Sequence, residues 1–559
     1  MAGCSDFLEY QKYGPGDSES FWKTEVDVRK GLNAFYEYTP VEECTGRGTY
    51  WYENCSDNMT TGRTHPDADP IKNFTLSSTT RSALSTPWNE MTRVITKAND
   101  VLRYVPKVES LEPALKDNAI GQGYFFRAYG YLWLCPWYGD NRNGGIPIVT
   151  EETTVDELDA PRPASVLENY DMIIADLRKA GELLPSYSQL ATADQGRPHK
   201  TAAWAFAARA ALYAAEYDAA KYFPIVIEMC DNIINLTGAD KRELHYLAAD
   251  HNFDDPATNS YGLPASNFSD LFRLENNFSK EYIYSIFGSA ERGPKFAGMG
   301  FQNGGFGGYN TWGYFNPTAE FYEAFEPDDT RRDATILAPG QRVLHPTSSG
   351  VLTNRKIWSL VPEADAEAEG LIAGQIGTGQ TSLFCRKVHA VYEVEGGFGT
   401  IYSTSGDNLS NRAGTVVMRY ADILLMKAEA LIWTKGEGNQ DAKDLLNQIR
   451  KRAGLLENSP ATKAALKNER RCELSFEFLP SRHIDLVRWG DAEAAYKQPL
   501  HGYTVKFKTV GTDTHVFDPS EKFVAWPARN FDPVKNHVFP IPQSIINKSN
   551  GVLKQNEGW

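Results

Sequence analysis

The sequence predicts a mostly α-helical protein in which four tetratricopeptide-like helical hairpins form a scaffold and a large loop-rich insert carries the ligand site. Three observations point there. First, Ala421, Leu424, Leu425, Ala428, Leu431 and Ile432 recur at i, i+3, i+4, i+7 spacing, which lays one apolar stripe along a helix. After a break at Gly436 and Gly438 the same spacing returns in Ala442, Leu445, Leu446, Ile449 and Ala453, with Asn439 as N-cap and Asp441 in the first turn. Second, paired stripes of this kind occur three more times upstream, although the tetratricopeptide signature itself is only loosely met. Third, residues 241–415 are rich in Gly, Asn and aromatic side chains and show helical period only near Thr318–Phe325.

Taken in order, the first helix is expected within residues 18–38, capped by Ser18 or Ser20, with Phe21, Trp22, Val28, Leu32, Phe35 and Tyr36 as its apolar positions. A long connection, 39–87, leads to a helix carrying Trp88, Met91, Val94, Ile95, Ala98 and Leu102. The next helix runs from Ile120 to Trp133 and is expected to end at Pro136. Ser165 should cap a helix through Tyr170, Ile173, Ile174 and Leu177. The third hairpin places Trp204, Ala207, Ala208, Ala211, Leu212 and Ala215 on one stripe. Its second stripe is Ile225, Val226, Met229, Cys230, Ile233 and Ile234, with Pro224 expected in the first turn. The three pairs occupy 18–240, the fourth opens the segment 416–559, and the tail after Trp489 reads as irregular.

Composition narrows the function. With 559 residues the chain exceeds the roughly 250–300 at which single cores stop growing. A net charge of -15 argues against binding a phosphate backbone, which needs clustered Lys and Arg. No apolar run approaches the roughly 20 residues of a membrane-spanning helix. Walker, HExxH and GxSxG motifs are absent, and the glycines of 298–308 do not follow a strand and open a helix. Seven cysteines are too few for a disulfide scaffold, though Cys44 and Cys55 could pair in an oxidising compartment. The aromatic content is high, with 28 Tyr, 28 Phe and 12 Trp, more than helical packing alone requires.

The wording of particular segments is more specific than their periodicity. Arg419-Tyr420-Ala421-Asp422, Ala428-Glu429-Ala430, Ile449-Arg450-x-Arg452-Ala453-Gly454, Glu469-Arg470, Glu473-Leu474-x-Phe476-Glu477 and Asp485-Leu486-x-Arg488-Trp489 together resemble the SusD/RagB family. So do Phe126-Arg127-Ala128, Tyr138-Gly139, Gly145-Ile146-Pro147, Phe539-Pro-Ile-Pro and Gln555-Asn-x-Gly. The resemblance covers nearly the whole chain, 1–559 as a single SusD-like unit. It implies a right-handed helical scaffold and an outer-membrane lipoprotein, on the extracellular face, that captures oligo- or polysaccharide without catalysis. It also implies a partner, a SusC-type TonB-dependent transporter. Peptide capture is the alternative met in the same family. Ala2-Gly3-Cys4 has the form of a lipoprotein signal end, with Cys4 as the acylated residue; no charged and apolar leader precedes it, so Met1 reads as an added start on a trimmed chain.

Sugar rings lie flat on Trp and Tyr, while their hydroxyls need carboxylates, amides and guanidinium groups. The connection after the first helix offers both, in Trp51, Asp57, Asn58, Arg63 and Asp67, with Trp88 nearby. In the family the site joins that connection to the insert between the third and fourth hairpins. By region this adds Tyr309, Trp312 and Tyr314, with Arg386 as a polar clamp. No cofactor is expected. Asp250, Asp254 and Asp255 could hold a structural calcium ion, although a solvated acidic turn is the better account of them.

Overall fold

Thr24 opens the first helix: its side chain accepts from Asp27 N while the Asp27 carboxylate accepts from Thr24 N, a reciprocal cap. The expected caps Ser18 and Ser20 lie outside the residues that this computed structural model describes. Those are 21–247, 266–286, 315–387 and 415–559, less 46–47, 62–63, 65, 80–81, 155–156, 158–159, 273–275, 347–351, 360–370, 374–380 and 478–481. The helices that build the scaffold are α1 (Glu25–Asn33), α2 (Phe35–Tyr38), α3 (Ser82–Tyr104), α4 (Pro113–Tyr138), α5 (Val166–Leu183), α6 (Lys200–Ala214), α7 (Ala219–Ile234), α8 (Tyr420–Lys435), α9 (Gln440–Arg452) and α10 (Lys463–Leu474).

From α3 to α9 each helix packs against the one before it, so the scaffold is a continuous stack. The step from α7 to α8 crosses the whole insert, yet those two helices lie side by side. Small residues sit where axes approach. A Cβ on Gly130 of α4 would come within 2.7 Å of Ile95 Cγ1 on α3, so only glycine fits. Helix α6 is buried nearly all round, through Ala202, Ala203, Ala205, Ala207, Ala208, Ala210, Ala211 and Ala214, because it has neighbours on both sides.

Two prolines do not act as breakers. Helix α4 runs through Pro136 to Tyr138, and α7 starts at Ala219 under an Asp218 cap, which puts Pro224 inside it. Packing on both flanks outweighs the lost backbone hydrogen bond. Fully buried Trp133, Leu134 and Cys135 hold the end of α4. Two expected caps are present. Ser165 caps α5 with Glu168 completing the box, and Asn439 caps α9 through Ala442 N.

Short antiparallel ladders tie the insert and tail to the stack. Among their strands are β1 (Met59–Thr61), β2 (Tyr282–Ile286), β3 (Phe315–Pro317), β4 (Thr415–Arg419), β5 (Leu500–Tyr503), β6 (Phe507–Val510), β7 (Asp513–Phe517) and β8 (Lys522–Trp526). β2 pairs with β4, which runs directly into α8, so the insert returns to the scaffold beside one of its own strands. The tail after Trp489 is not irregular: β5 pairs with β8 and β6 with β7, a nested arrangement of two hairpins. One core cluster extends from Val28 to Ile541, uniting all the helices.

Candidate functional site

The early connection and the insert meet in one ladder. β1 and β3 are antiparallel, with Met59 opposite Pro317, Thr60 opposite Asn316 and Thr61 opposite Phe315. Thr318 secures the joint, donating its N–H to Asn58 O at 3.0 Å and its hydroxyl to Asp57 O at 2.7 Å. Asn316 Nδ2 anchors the other side to Leu383 O at 3.1 Å. Thr61 ends β1 and Phe315 begins β3, so both strands leave the described residues at the same end of the ladder. Four of the expected ligand residues, Arg63, Tyr309, Trp312 and Tyr314, lie outside the described residues in the segments that continue from that end.

The other expected residues point inward. Trp51 and Trp88 are 1% and 4% exposed, and Trp88 packs edge-on to Tyr138 at 5.0 Å. The expectation that these rings present a face to ligand is therefore corrected: burial in the core between α3, α4 and the connection uses them for packing. Asp57 is clamped by Arg482 at 2.9 Å and Arg471 at 3.2 Å. Burial alone would raise its pKa, but the two guanidinium groups outweigh it and hold the carboxyl well below the usual carboxylate range. Asn58 is spanned: its amide donates to Glu53 Oε1 at 2.8 Å and its carbonyl oxygen accepts from Arg471 Nε at 2.7 Å. Asp67 is buried just before the helix Ala68–Lys72. Arg386 is 3% exposed and donates from Nη2 to Arg342 O at 3.0 Å, bracing the insert instead of facing solvent.

Arg471 and Arg482 are the residues that sequence reading missed. They come from α10 and from the helix Arg482–Arg488, more than 400 positions away from the connection they hold. The doubled Arg470-Arg471 was the only local sign of them.

The residues that carry the family resemblance form two buried ion networks. In the first, Glu473 receives Arg419, Arg452 and Arg331, with Arg331 also on Asp329 at 2.7 Å and Arg419 on Glu281 at 2.8 Å. Burial would raise the Glu473 pKa, yet the three arginines hold it well below the ordinary value. Lys387 joins through Glu477 at 2.6 Å; desolvation pushes its pKa down to about 8. In the second, Arg209 and Arg470 share Asp422, Arg470 and Arg488 share Asp485, and Arg488 reaches Glu429. These groups weld α6, α8, α9 and α10 together.

A cleft of about 620 Å³ lies between residues 241–246, the turn before β2, and helices α8 and α9. Its lysines are already matched: Lys241 and Lys280 both reach Glu243, and Lys451 reaches Glu457. Among the described residues no three His, Cys, Asp or Glu side chains gather as a metal site, and Asp250, Asp254 and Asp255 fall outside them. Cys44 and Cys55 are buried thiols with no disulfide between them, and Cys55 Sγ donates to Tyr52 O at 2.7 Å. No helix among the described residues is long and apolar enough to cross a membrane.

The described residues define a continuous helical stack in which the early connection and the insert meet in the β1–β3 ladder. The chain belongs to the SusD family: that family's model matches residues 280–559, and a second model, described as starch-binding associating with outer membrane, matches residues 6–212. It is similar along its whole length to SusD-like protein P2 of Formosa agariphila, at 24% identity covering 100% of this chain and 97% of that protein. Among solved structures, a SusD-like protein from Bacteroides fragilis superposes with a TM-score of 0.72 at 24% identity, covering 97% of this chain and 99% of the other. Surface glycan-binding protein A from Bacteroides thetaiotaomicron, in complex with laminarihexaose, superposes with a TM-score of 0.67 at 18% identity, covering 96% and 100%.

Proposed function

We propose that this chain is a cell-surface lipoprotein, anchored through Cys4, that captures an oligo- or polysaccharide and hands it to a SusC-type TonB-dependent transporter without cutting it. The observation that carries the reading is the β1–β3 ladder, which brings the early connection and the central insert to one place. The ligand contacts in this reading are Arg63, Tyr309, Trp312 and Tyr314, which continue from the open end of that ladder. Asp57, Asn58, Arg471 and Arg482 hold the ladder in position. Trp51, Asp67, Trp88 and Arg386 are buried and take no part in contact with ligand in this reading. Membership of the SusD family and likeness to a protein solved with laminarihexaose support a glycan ligand.

Isothermal calorimetry against a panel of neutral polysaccharides and a panel of peptides tests the class of ligand. Heat from a polysaccharide, abolished in Trp312→Ala with no change in melting temperature, is the expected result. Binding of peptides alone would transfer the protein to the family's peptide-capturing members. Appearance of shorter glycan products on prolonged incubation would overturn the non-catalytic part.

A further inference from the structure

A second cavity is built from three pieces of the fold that are separate in sequence. It measures about 220 Å³ and is lined by Tyr36 of α2 and Pro40 just after it, by Arg197 from the connection between α5 and α6, and by Tyr284, Ser285 and Ile286 of β2. Polar atoms on all three pieces are left over. Tyr36 Oη, Arg197 Nη1 and Ser285 Oγ are buried without a hydrogen-bond partner among the described residues. Burial raises the Tyr36 pKa above its usual value by more than the Arg197 guanidinium, which sits over the ring 5.3 Å from its centroid, can lower it. Buried polar atoms are rarely left unmade, so three around one cavity call for an occupant.

The rest of Arg197 is spoken for. Nε donates to Asp194 Oδ1 at 2.6 Å and Nη2 to Asn33 Oδ1 at 2.8 Å. Its charge is thereby matched, which leaves no surplus cation to attract a carboxylate or phosphate. What remains is one N–H donor group and two hydroxyls that both donate and accept. Pro40, Tyr284 and Ile286 supply apolar wall. The volume exceeds that of several waters at roughly 30 Å³ each and falls below the ~300–1,000 Å³ of pockets for drug-sized ligands.

We infer that the cavity between Tyr36, Arg197 and Ser285 binds one neutral, hydroxyl-rich ring, a monosaccharide or the end unit of a chain. It is a site separate from the ladder-borne capture site and does not depend on that reading. Leftover donors meet sugar hydroxyls, while the apolar wall faces ring C–H groups.

The test is saturation-transfer NMR on the full chain with glucose, galactose, mannose and N-acetylglucosamine as individual probes, followed by titration of whichever binds. The double variant Tyr36→Phe, Ser285→Ala removes two hydroxyls with little change in shape. It should bind at least tenfold more weakly at unchanged melting temperature, and polysaccharide capture by the other site should persist. Arg197→Lys, which keeps the charge but loses the fork, should weaken binding as well. Absence of a signal from all four sugars overturns the proposal, as does equal binding by wild type and double variant. Crystals soaked in the best probe that show only water in the cavity do the same. Since capture of polysaccharide is read separately through Trp312, either site can fail without the other.

Discussion

Glu473 is fully buried and faces Arg331, Arg419 and Arg452 at once. Each guanidinium has given up hydration to reach it, so the carboxylate cannot be withdrawn without leaving buried cations unmatched. Glu473→Gln, nearly equal in size, should lower unfolding free energy by roughly 3–5 kcal/mol in urea titration. A loss below about 1 kcal/mol would show that the arginines re-pair among Glu281, Glu469 and Glu477. Glu53 behaves oppositely. Burial lifts its pKa from 4.5 to about 7, more than Asn58 and Arg482 N–H can offset. Above pH 4.5 the unfolded chain releases this proton while the folded chain keeps it, so stability falls as pH rises through 4.5 to 7, by ~3 kcal/mol, and levels off beyond. Glu53→Gln should flatten that part of the curve relative to wild type, as measured by denaturant midpoints at pH 5 and pH 8. Identical pH dependence in both proteins would count against a protonated Glu53.

At the level of elements, caps and ladders define the ends that hydrophobic period leaves vague. The Ser165 side chain accepts from Leu167 N at 3.0 Å, and Glu168 returns the bond to Ser165 N. Ser165→Ala should cost about 1 kcal/mol of stability and leave glycan binding untouched, since α5 packs mainly against α4 and α6. A change in affinity at constant stability would place α5 nearer the ligand than its packing suggests. The prolines carry a related lesson. Pro136 and Pro224 read as boundaries locally, but α4 and α7 continue through them because both helices are clamped by neighbours on either flank. Local propensity yields to tertiary contact in such places.

Across the whole molecule, the stack is one core and the loops hang from it, so aromatic residues divide by position more than by type. Trp51→Ala removes a ring from that core and should destabilise the fold by about 3–5 kcal/mol, lowering the melting temperature. Trp312→Ala should leave the melting curve in place and abolish retention on insoluble glycan. If both variants melt normally and both lose retention, Trp51 reaches ligand and its burial is not the working conformation.

Sequence alone determined the helical class, the four paired stripes, the family and the point that the insert is different in kind. Period and motif are local properties, written within one helix or one short segment, and they survive without knowledge of the rest. The tertiary structure decided what each charged or aromatic side chain is for. Asp57 and Asn58 read equally well as sugar ligands until Arg471 and Arg482 arrive from the far end of the chain. The pattern from Arg419 to Arg488, which named the family, turned out to be welded into buried ion networks, because opposite charges removed from water must find each other across helices that are distant in sequence. Burial and long-range pairing depend on which surfaces meet, and that is settled only when the stack closes.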